Sequence, residues 1–326
     1  MVEPQASPMA ESTSFAPAGF GGIERRAALV GRAGELRELD AALRAVHEQG
    51  EARTITLVGA AGIGKTRLVR DFLSRQRASD RGLPRVFRGS ARADGGAYDV
   101  FARVLRARFG IIEGMDREAA KAQIRTRVAS VFEDRKVEDV CYFLGQLLDL
   151  EFMGSPLIEA VRLDARQMAS LRTAVLRRFF EADSRNVGRT TRDTDPDLAA
   201  GTRGPDEKQG PYVLVFDDLQ HAHDDSLDLL GHLVDTLDAP ILVVCLARPD
   251  MLARREDWPK HGAARHRIVE VGPLGETDAS RMMEELLAPC GGAEGLDELV
   301  ESACTLAGGN PALLERTVHI LSLIHI

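Results

Sequence analysis

The sequence predicts an α/β protein, a three-layer α/β/α core on a five-stranded parallel sheet followed by a small C-terminal all-helical domain. Three observations carry that expectation. Apolar runs at Thr54–Val58, Arg85–Arg88, Tyr212–Phe216, Ile241–Leu246 and Arg267–Val271 read as strands, several of them apolar enough for burial on both faces. Helical patterns separate these runs, and that alternation builds parallel sheets covered by helices. From Thr277 onward only helical periodicity remains, interrupted at Gly308-Gly309-Asn310-Pro311.

Taken in chain order, residues 1–22 are rich in Pro, Ala and Ser without periodicity and are expected to be disordered. Leu29–Arg32 is a short apolar entry into a helix that presents Leu36, Leu39, Leu43 and Val46 at helical spacing. After the first strand comes Gly59-Ala60-Ala61-Gly62-Ile63-Gly64-Lys65-Thr66, which fits G-x-x-x-x-G-K-T. A helix bearing Leu68, Val69, Phe72 and Leu73 follows it. A strand before and a helix after are the context that turns this pattern into a phosphate-binding loop. Glycines let backbone N–H groups converge on phosphate oxygens, and the helix start adds its positive end. Lys65 is then expected to reach the β- and γ-phosphates, and the Thr66 hydroxyl to ligate Mg²⁺. The bland alternative is a glycine-rich turn that happens to fit.

A long, mostly helical section runs from Val100 to Asp183, with Met168, Leu171, Val175 and Phe179 as one apolar stripe, expected to be core or interface. Residues 184–211 carry few apolar groups and are expected to be a flexible insert. The strand Tyr212–Phe216 ends in Asp217-Asp218. Acids at the carboxyl end of a buried strand, downstream of such a loop, form the Walker B arrangement. Asp217 is the candidate Mg²⁺ ligand and Asp218 the candidate acid–base for an attacking water. The alternative is that one or both cap the next helix. Arg248 ends the following strand, either as a cation near the transferring phosphoryl group or as an ordinary surface arginine. His221 and His223 lack a third ligand and read as polar loop residues.

The length of 326 residues suits two domains, or one large domain with a satellite. With 50 acidic against 42 basic residues and no long basic run, the balance argues against broad nucleic-acid binding, though not against a local basic face. Cys141, Cys245, Cys290 and Cys304 have no metal spacing, and the bland reading is buried thiols. With no signal peptide or membrane-spanning stretch evident, a cytoplasmic location is expected. The terminal Leu321–Ile326 matches what a sequencing adaptor would encode, so residues 321–326 are set aside and the natural chain is expected to continue; the alternative is a genuine apolar helix end.

The whole pattern resembles the STAND class of P-loop ATPases within the AAA-like group, as found in bacterial signalling proteins. Val30-Gly31-Arg32-Ala33-Gly34-Glu35-Leu36 matches the opening V-G-R-x-x-E-L of such modules, Gly59–Thr66 their loop, Asp217–Gln220 their D-D-L-Q, and Ala307–Pro311 their A-G-G-N-P. His221 and His223 depart from the aromatic and the acid expected after Gln220, and Asp224 is a substitute for the acid. The resemblance implies a P-loop NTPase core over 23–273 and a helical lid over 274–320. Val30, Gly31 and Arg32 would lie against adenine, Pro311 near the base, and Gly59 through Thr66 with Arg67 around the phosphates. Lys65, Asp218 and Arg248 would act in hydrolysis, with Thr66 and Asp217 on Mg²⁺. It places the strand Ile241–Leu246 between the other two site strands. It implies a slowly hydrolysing ATP/ADP switch that works with sensor or output domains and forms nucleotide-dependent oligomers, with no membrane or direct nucleic-acid partner. Alternatives are a nucleotide-holding scaffold without turnover, or a P-loop phosphoryl transferase.

Overall fold

The computed structural model of the protein describes residues 28–77, 82–132, 134–186, 209–288 and 297–324. The expected disorder of residues 1–22, most of the insert and Cys290 lie outside these residues.

The strands are β1 (Arg53–Val58), β2 (Leu83–Ser90), β3 (Gln209–Asp217), β4 (Ile241–Ala247) and β5 (His266–Glu270). They form one parallel sheet in the order β2-β3-β4-β1-β5. Every residue of β4 is buried, as its unbroken apolar run requires of a central strand. Pro211 is tolerated in β3 because the register with β2 shifts between Leu83 and Arg85. Parallel strands put all their carboxyl ends along one edge, and the registers Val58↔Ala247 and Ser90↔Asp217 align those ends.

Helices cover both faces. On one, α1 (Ala33–Gln49) and α2 (Lys65–Arg77) pack Leu39, Leu43, Leu68 and Phe72 onto Ile55, Leu57, Val213 and Val244. Glycine closes α1 because Gly50 takes the left-handed conformation, φ 68°, and returns its N–H to the Val46 carbonyl. The other face is built from α3 (Asp99–Phe109), α4 (Arg117–Ala129), α5 (Asp134–Leu148), α6 (Pro156–Val161), α7 (Ala165–Arg185), α8 (Asp224–Thr236) and the short α9 (Pro249–Arg254). Its core holds Phe87, Phe101, Phe109, Phe179, Phe180, Phe216 and Trp258, each burial worth about 1.5–3 kcal/mol. The expected stripe on α7 is corrected in one place. Leu171 is 37% exposed, because the buried face runs through Met168, Leu176, Phe179 and Phe180. Arg172 takes the position on that line and stacks over Tyr98. The insert is also shorter at both edges than 184–211, since α7 runs to Arg185 and β3 begins at Gln209.

A buried polar cluster ties α7 to the sheet. Arg108 and Asp183 form an ion pair only 4% and 1% exposed, and the Tyr212 hydroxyl donates to Asp183 Oδ2 at 2.8 Å. Arg85 donates to the carbonyls of Asp183 and Ser184. Burial pushes the Tyr212 hydroxyl well above its usual pKa, with the Asp183 charge adding to it. Burial also raises the Cys245 thiol to about 12 and the Cys141 thiol to about 11, so both stay protonated and inert.

A second cluster sets a pH dependence. Trp258 Nε1 donates to Thr56 Oγ1 at 3.1 Å, Thr56 Oγ1 lies 2.8 Å from His266 Nε2, and His266 Nδ1 lies 2.8 Å from the His261 carbonyl. Only a proton on Nδ1 satisfies that carbonyl, which leaves Nε2 to accept from Thr56. Burial holds His266 below its ordinary pKa, outweighing the hydrogen bond to the His261 carbonyl. Because the folded protein resists this proton, its contribution is complete above the unfolded value, about 6.5, and shrinks as pH falls below it toward the depressed folded value. Urea titrations from pH 8 to 5 should show a steeper loss for the natural protein than for His266→Gln. Parallel curves would refute it.

After β5 the chain forms α10 (Glu276–Leu287), α11 (Asp297–Ala307) and α12 (Pro311–Ile324), the helical lid. Met282, Met283, Ala303 and Leu314 give it a small core of its own, into which Val30 inserts from the other end of the chain. The helix α12 continues past the expected boundary at 320. No helix among the described residues is long and apolar enough to cross a membrane.

Candidate functional site

The glycine loop leaves β1 at the carboxyl edge of the sheet. Gly59 donates its N–H to the Ala247 carbonyl at 3.2 Å, so the loop is stitched to β4. A Cβ on Gly59 would lie 2.4 Å from the Val271 carbonyl oxygen. Gly62 and Gly64 turn the loop through left-handed conformations, φ 74° and 96°, which glycine adopts at no steric cost. The loop then enters α2 at Lys65, and Leu68 N–H already bonds to the Gly64 carbonyl.

Lys65 Nζ donates to the carbonyls of Gly59 and Ala60 at 2.8 and 3.0 Å. Burial lowers its pKa, and the Arg248 charge adds to that; Asp217, Asp218 and Asp250 oppose it. The structure therefore brings Lys65, both acids and Arg248 into one electrostatic neighbourhood. Thr66 Oγ1 donates to Asp217 Oδ2 at 3.0 Å, and Asp217 is 2% exposed. Its other oxygen accepts the Asp218 N–H at 2.8 Å.

Asp218 sits in the left-handed region at φ 55°. Its Oδ2 accepts from Ser90 Oγ and its Oδ1 from Gln220 Nε2, both at 3.0 Å. The capping alternative does not hold, for Asp218 makes no side-chain cap bond, and His223 Nδ1 caps α8 instead. His221 is exposed. Asp224, offered as a substitute acid, lies exposed 3.7 Å from Arg254 and 3.9 Å from Arg255. Arg248 lies between β4 and α9 as the extended N-cap residue of α9, and its backbone N–H donates to Gln220 Oε1 at 3.2 Å.

Two residues of this cluster carry no motif signal, Arg88 and Ser90 on β2, and the D-D-L-Q motif that holds Gln220 does not reveal its bridge from Asp218 to Arg248. Arg88 donates to the same Asp217 oxygen that accepts from Thr66. The pairing of β2 with β3 brings them there, and only the strand order reveals it.

The opening V-G-R segment lies across the loop from the acids. Arg32 is 5% exposed and donates to the Ile63 carbonyl at 3.1 Å and to Glu35 at 3.0 Å. Gly31, φ 67°, leaves room for the Asp278 carboxylate, which a Cβ would meet at 2.4 Å. The lid closes directly on the loop. Asn310 Nδ2 donates to the Ala61 carbonyl at 2.9 Å and Ala312 N–H to the Gly62 carbonyl at 3.2 Å, while within the lid segment Leu274 N–H donates to the Gly309 carbonyl at 2.8 Å.

Between loop and lid lies a cleft of about 760 Å³. Val30, Arg32, Gly62, Ile63, Gly64, Thr66, Arg67 and Pro311 line it, together with the apolar Leu274, Met282 and Leu286. Gly31, Gly59, Ala60, Ala61 and Lys65 are not among its lining residues. An apolar end and a polar, glycine-lined end suit a base joined to phosphates. The hard oxygens of Thr66 and Asp217 suit Mg²⁺, which takes few protein ligands and completes its shell from phosphate and water. Among the described residues no group of three or more His, Cys, Asp or Glu is arranged as a metal site.

The parallel sheet with this loop at its edge defines a P-loop NTPase fold. The sequence pattern of the AAA ATPase domain matches residues 28–244, and the chain belongs to that family. The match stops inside β4, so Arg248, β5 and the lid stand on the structure alone. A search of the curated proteins finds no match. Among solved structures, the Walker-type ATPase PABY2304 of Pyrococcus abyssi is similar at 16% identity and a TM-score of 0.41, over 90% of this chain and 68% of that one. Cdc6p from Pyrobaculum aerophilum is similar at 16% identity and a TM-score of 0.42, over 95% of this chain and 62% of that one.

Proposed function

We propose that the protein binds Mg-ATP between core and lid, hydrolyses it slowly, and works as a regulatory switch of a bacterial signalling protein. The observation that carries this reading is the junction of three parts at one sheet edge. These are the glycine loop with Lys65, the Thr66–Asp217 pair, and a lid hydrogen-bonded to the loop. The core would span 23–273 and the lid 274–320.

In this reading Lys65 exchanges its two carbonyl partners for phosphate oxygens. Thr66 and Asp217 hold the metal, whose charge offsets that of the phosphates. Asp218, fixed by Ser90 and Gln220, orients the attacking water and accepts its proton. Arg248 senses the terminal phosphate and, through Gln220, stays in register with Asp218. Gly59 through Thr66, with Arg67, surround the phosphates, and Val30, Gly31, Arg32 and Pro311 frame the base. The signalling role, the nucleotide-dependent oligomer and the choice of ATP over GTP rest on the V-G-R and G-G-N-P resemblance. One observation favours a scaffold without turnover, the exposure of Asp224 among surface arginines.

The test is binding of fluorescent ATP and ADP with Mg²⁺, beside Lys65→Ala. Losing charge-assisted hydrogen bonds should weaken ATP about 10- to 100-fold. Equal affinity in the variant would remove the loop from the function.

A further inference from the structure

The side chains around Asp217 hold a cation that no motif accounts for. Arg88 lies on the α2 face of β2, as Val86 does, and its guanidinium donates to Asp217 Oδ2. That oxygen is also the one facing Thr66. The guanidinium therefore stands at the carboxylate oxygen that a divalent ion held by Thr66 and Asp217 would approach.

The pair is unequal. Asp217 is 3% exposed and fixed from behind by the Asp218 N–H, whereas Arg88 is 32% exposed on an edge strand. The buried pair Arg108–Asp183, at 4% and 1%, shows what a locked version looks like in the same protein. At the site it is the arginine that has solvent to move into. A buried carboxylate without a counter-charge is costly, and Arg88 supplies that charge when no metal does.

We infer that Arg88 is a positioning residue that neutralises Asp217 in the metal-free state and must be displaced before a divalent cation is held. It discourages metal binding without nucleotide, since metal alone must break the ion pair, whereas metal arriving with the nucleotide brings phosphate contacts that compensate. This inference rests on the Mg-ATP reading above.

The experiment is Mn²⁺ binding by electron paramagnetic resonance, with and without a non-hydrolysable ATP analogue, on the full chain. Arg88→Gln should bind nucleotide-free Mn²⁺ at least about tenfold more tightly than the natural protein, because a unit positive charge beside the metal position is gone. Arg88→Lys, which keeps a cation, should restore weak binding. In an Asp217→Asn background, Arg88→Gln should change nothing. The metal-free variant should also melt earlier and regain more on adding Mn²⁺ than the natural protein does. Equal nucleotide-free Mn²⁺ affinity in the natural protein and Arg88→Gln, with both binding Mn²⁺ plus analogue, overturns the role of Arg88 while leaving the Mg-ATP reading in place. No Mn²⁺ binding even with analogue overturns both.

Discussion

Asp218→Asn is expected to lower ATP turnover by about 10²–10⁴-fold, the usual worth of a positioned acid–base group, while leaving Mg-ATP affinity within a few-fold. The substitution is structurally quiet. Asp218 has φ 55°, a conformation asparagine adopts at least as readily as aspartate. The amide can still accept from Gln220, and its NH₂ can donate to Ser90 Oγ, whose hydroxyl is free to rotate. What disappears is a group able to take a proton from water. Phosphate release under saturating ATP, with affinity measured in parallel, separates the readings. Lost turnover with retained binding supports hydrolysis at this residue. Unchanged slow turnover moves the chemistry elsewhere, and no turnover in the natural protein supports the scaffold.

Asp183→Ala should destabilise the fold by about 3–5 kcal/mol, because it strands Arg108 with its charge buried. Asp183 takes both of the Arg108 donors Nε and Nη2 and the Tyr212 hydroxyl. Burial alone would lower the Arg108 pKa, and the hydrogen bonds and charge of Asp183 more than reverse this. Removing the carboxylate reverses that balance. The triple replacement Arg108→Met, Asp183→Leu, Tyr212→Phe should recover most of the loss, since it removes the stranded charge together with the hydroxyl that donated to Asp183. Denaturant unfolding checks both, and a loss below about 1 kcal/mol for Asp183→Ala would mean that water or a shifted Arg108 replaces the pair.

Much of this was legible in the sequence, for identifiable reasons. The loop is contiguous, so Gly59 through Thr66 announce themselves by spacing. The strands β3 and β4 are nearly pure apolar runs, so their ends, and hence Asp217, Asp218 and Arg248, could be located within a residue or so. The order of β4 between β3 and β1 followed from resemblance and agrees with the sheet. Arg88 and Ser90 were not legible. Their part in the site depends on β2 pairing with β3 in the register Ser90↔Asp217, a contact between residues far apart in the chain. The Arg108–Asp183 pair was hidden for the same reason, each residue reading alone as an ordinary charge on a helix. Leu171 shows the opposite failure. A spacing of three followed by two of four tracks a helix face closely enough to look right, yet drifts to its edge when Arg172 packs on Tyr98.

The seam between loop and lid is written in few atoms, and on the loop side all of its acceptors are backbone carbonyls. Ala312 N–H to the Gly62 carbonyl and Asn310 Nδ2 to the Ala61 carbonyl make it, and Leu274 N–H to the Gly309 carbonyl braces the lid behind them. Exposed side chains elsewhere on α10, α11 and α12 can therefore drift over evolutionary time without opening it. Mutational tolerance narrows to the places where a Cβ has no room. At Gly62 it would meet Ala312 at 2.8 Å, and at Gly309 the Leu274 carbonyl at 2.3 Å. A lid built this way can change its exposed side chains while keeping its small apolar core and a few residues, a glycine pair with its asparagine and proline, as the lasting trace of how it closes.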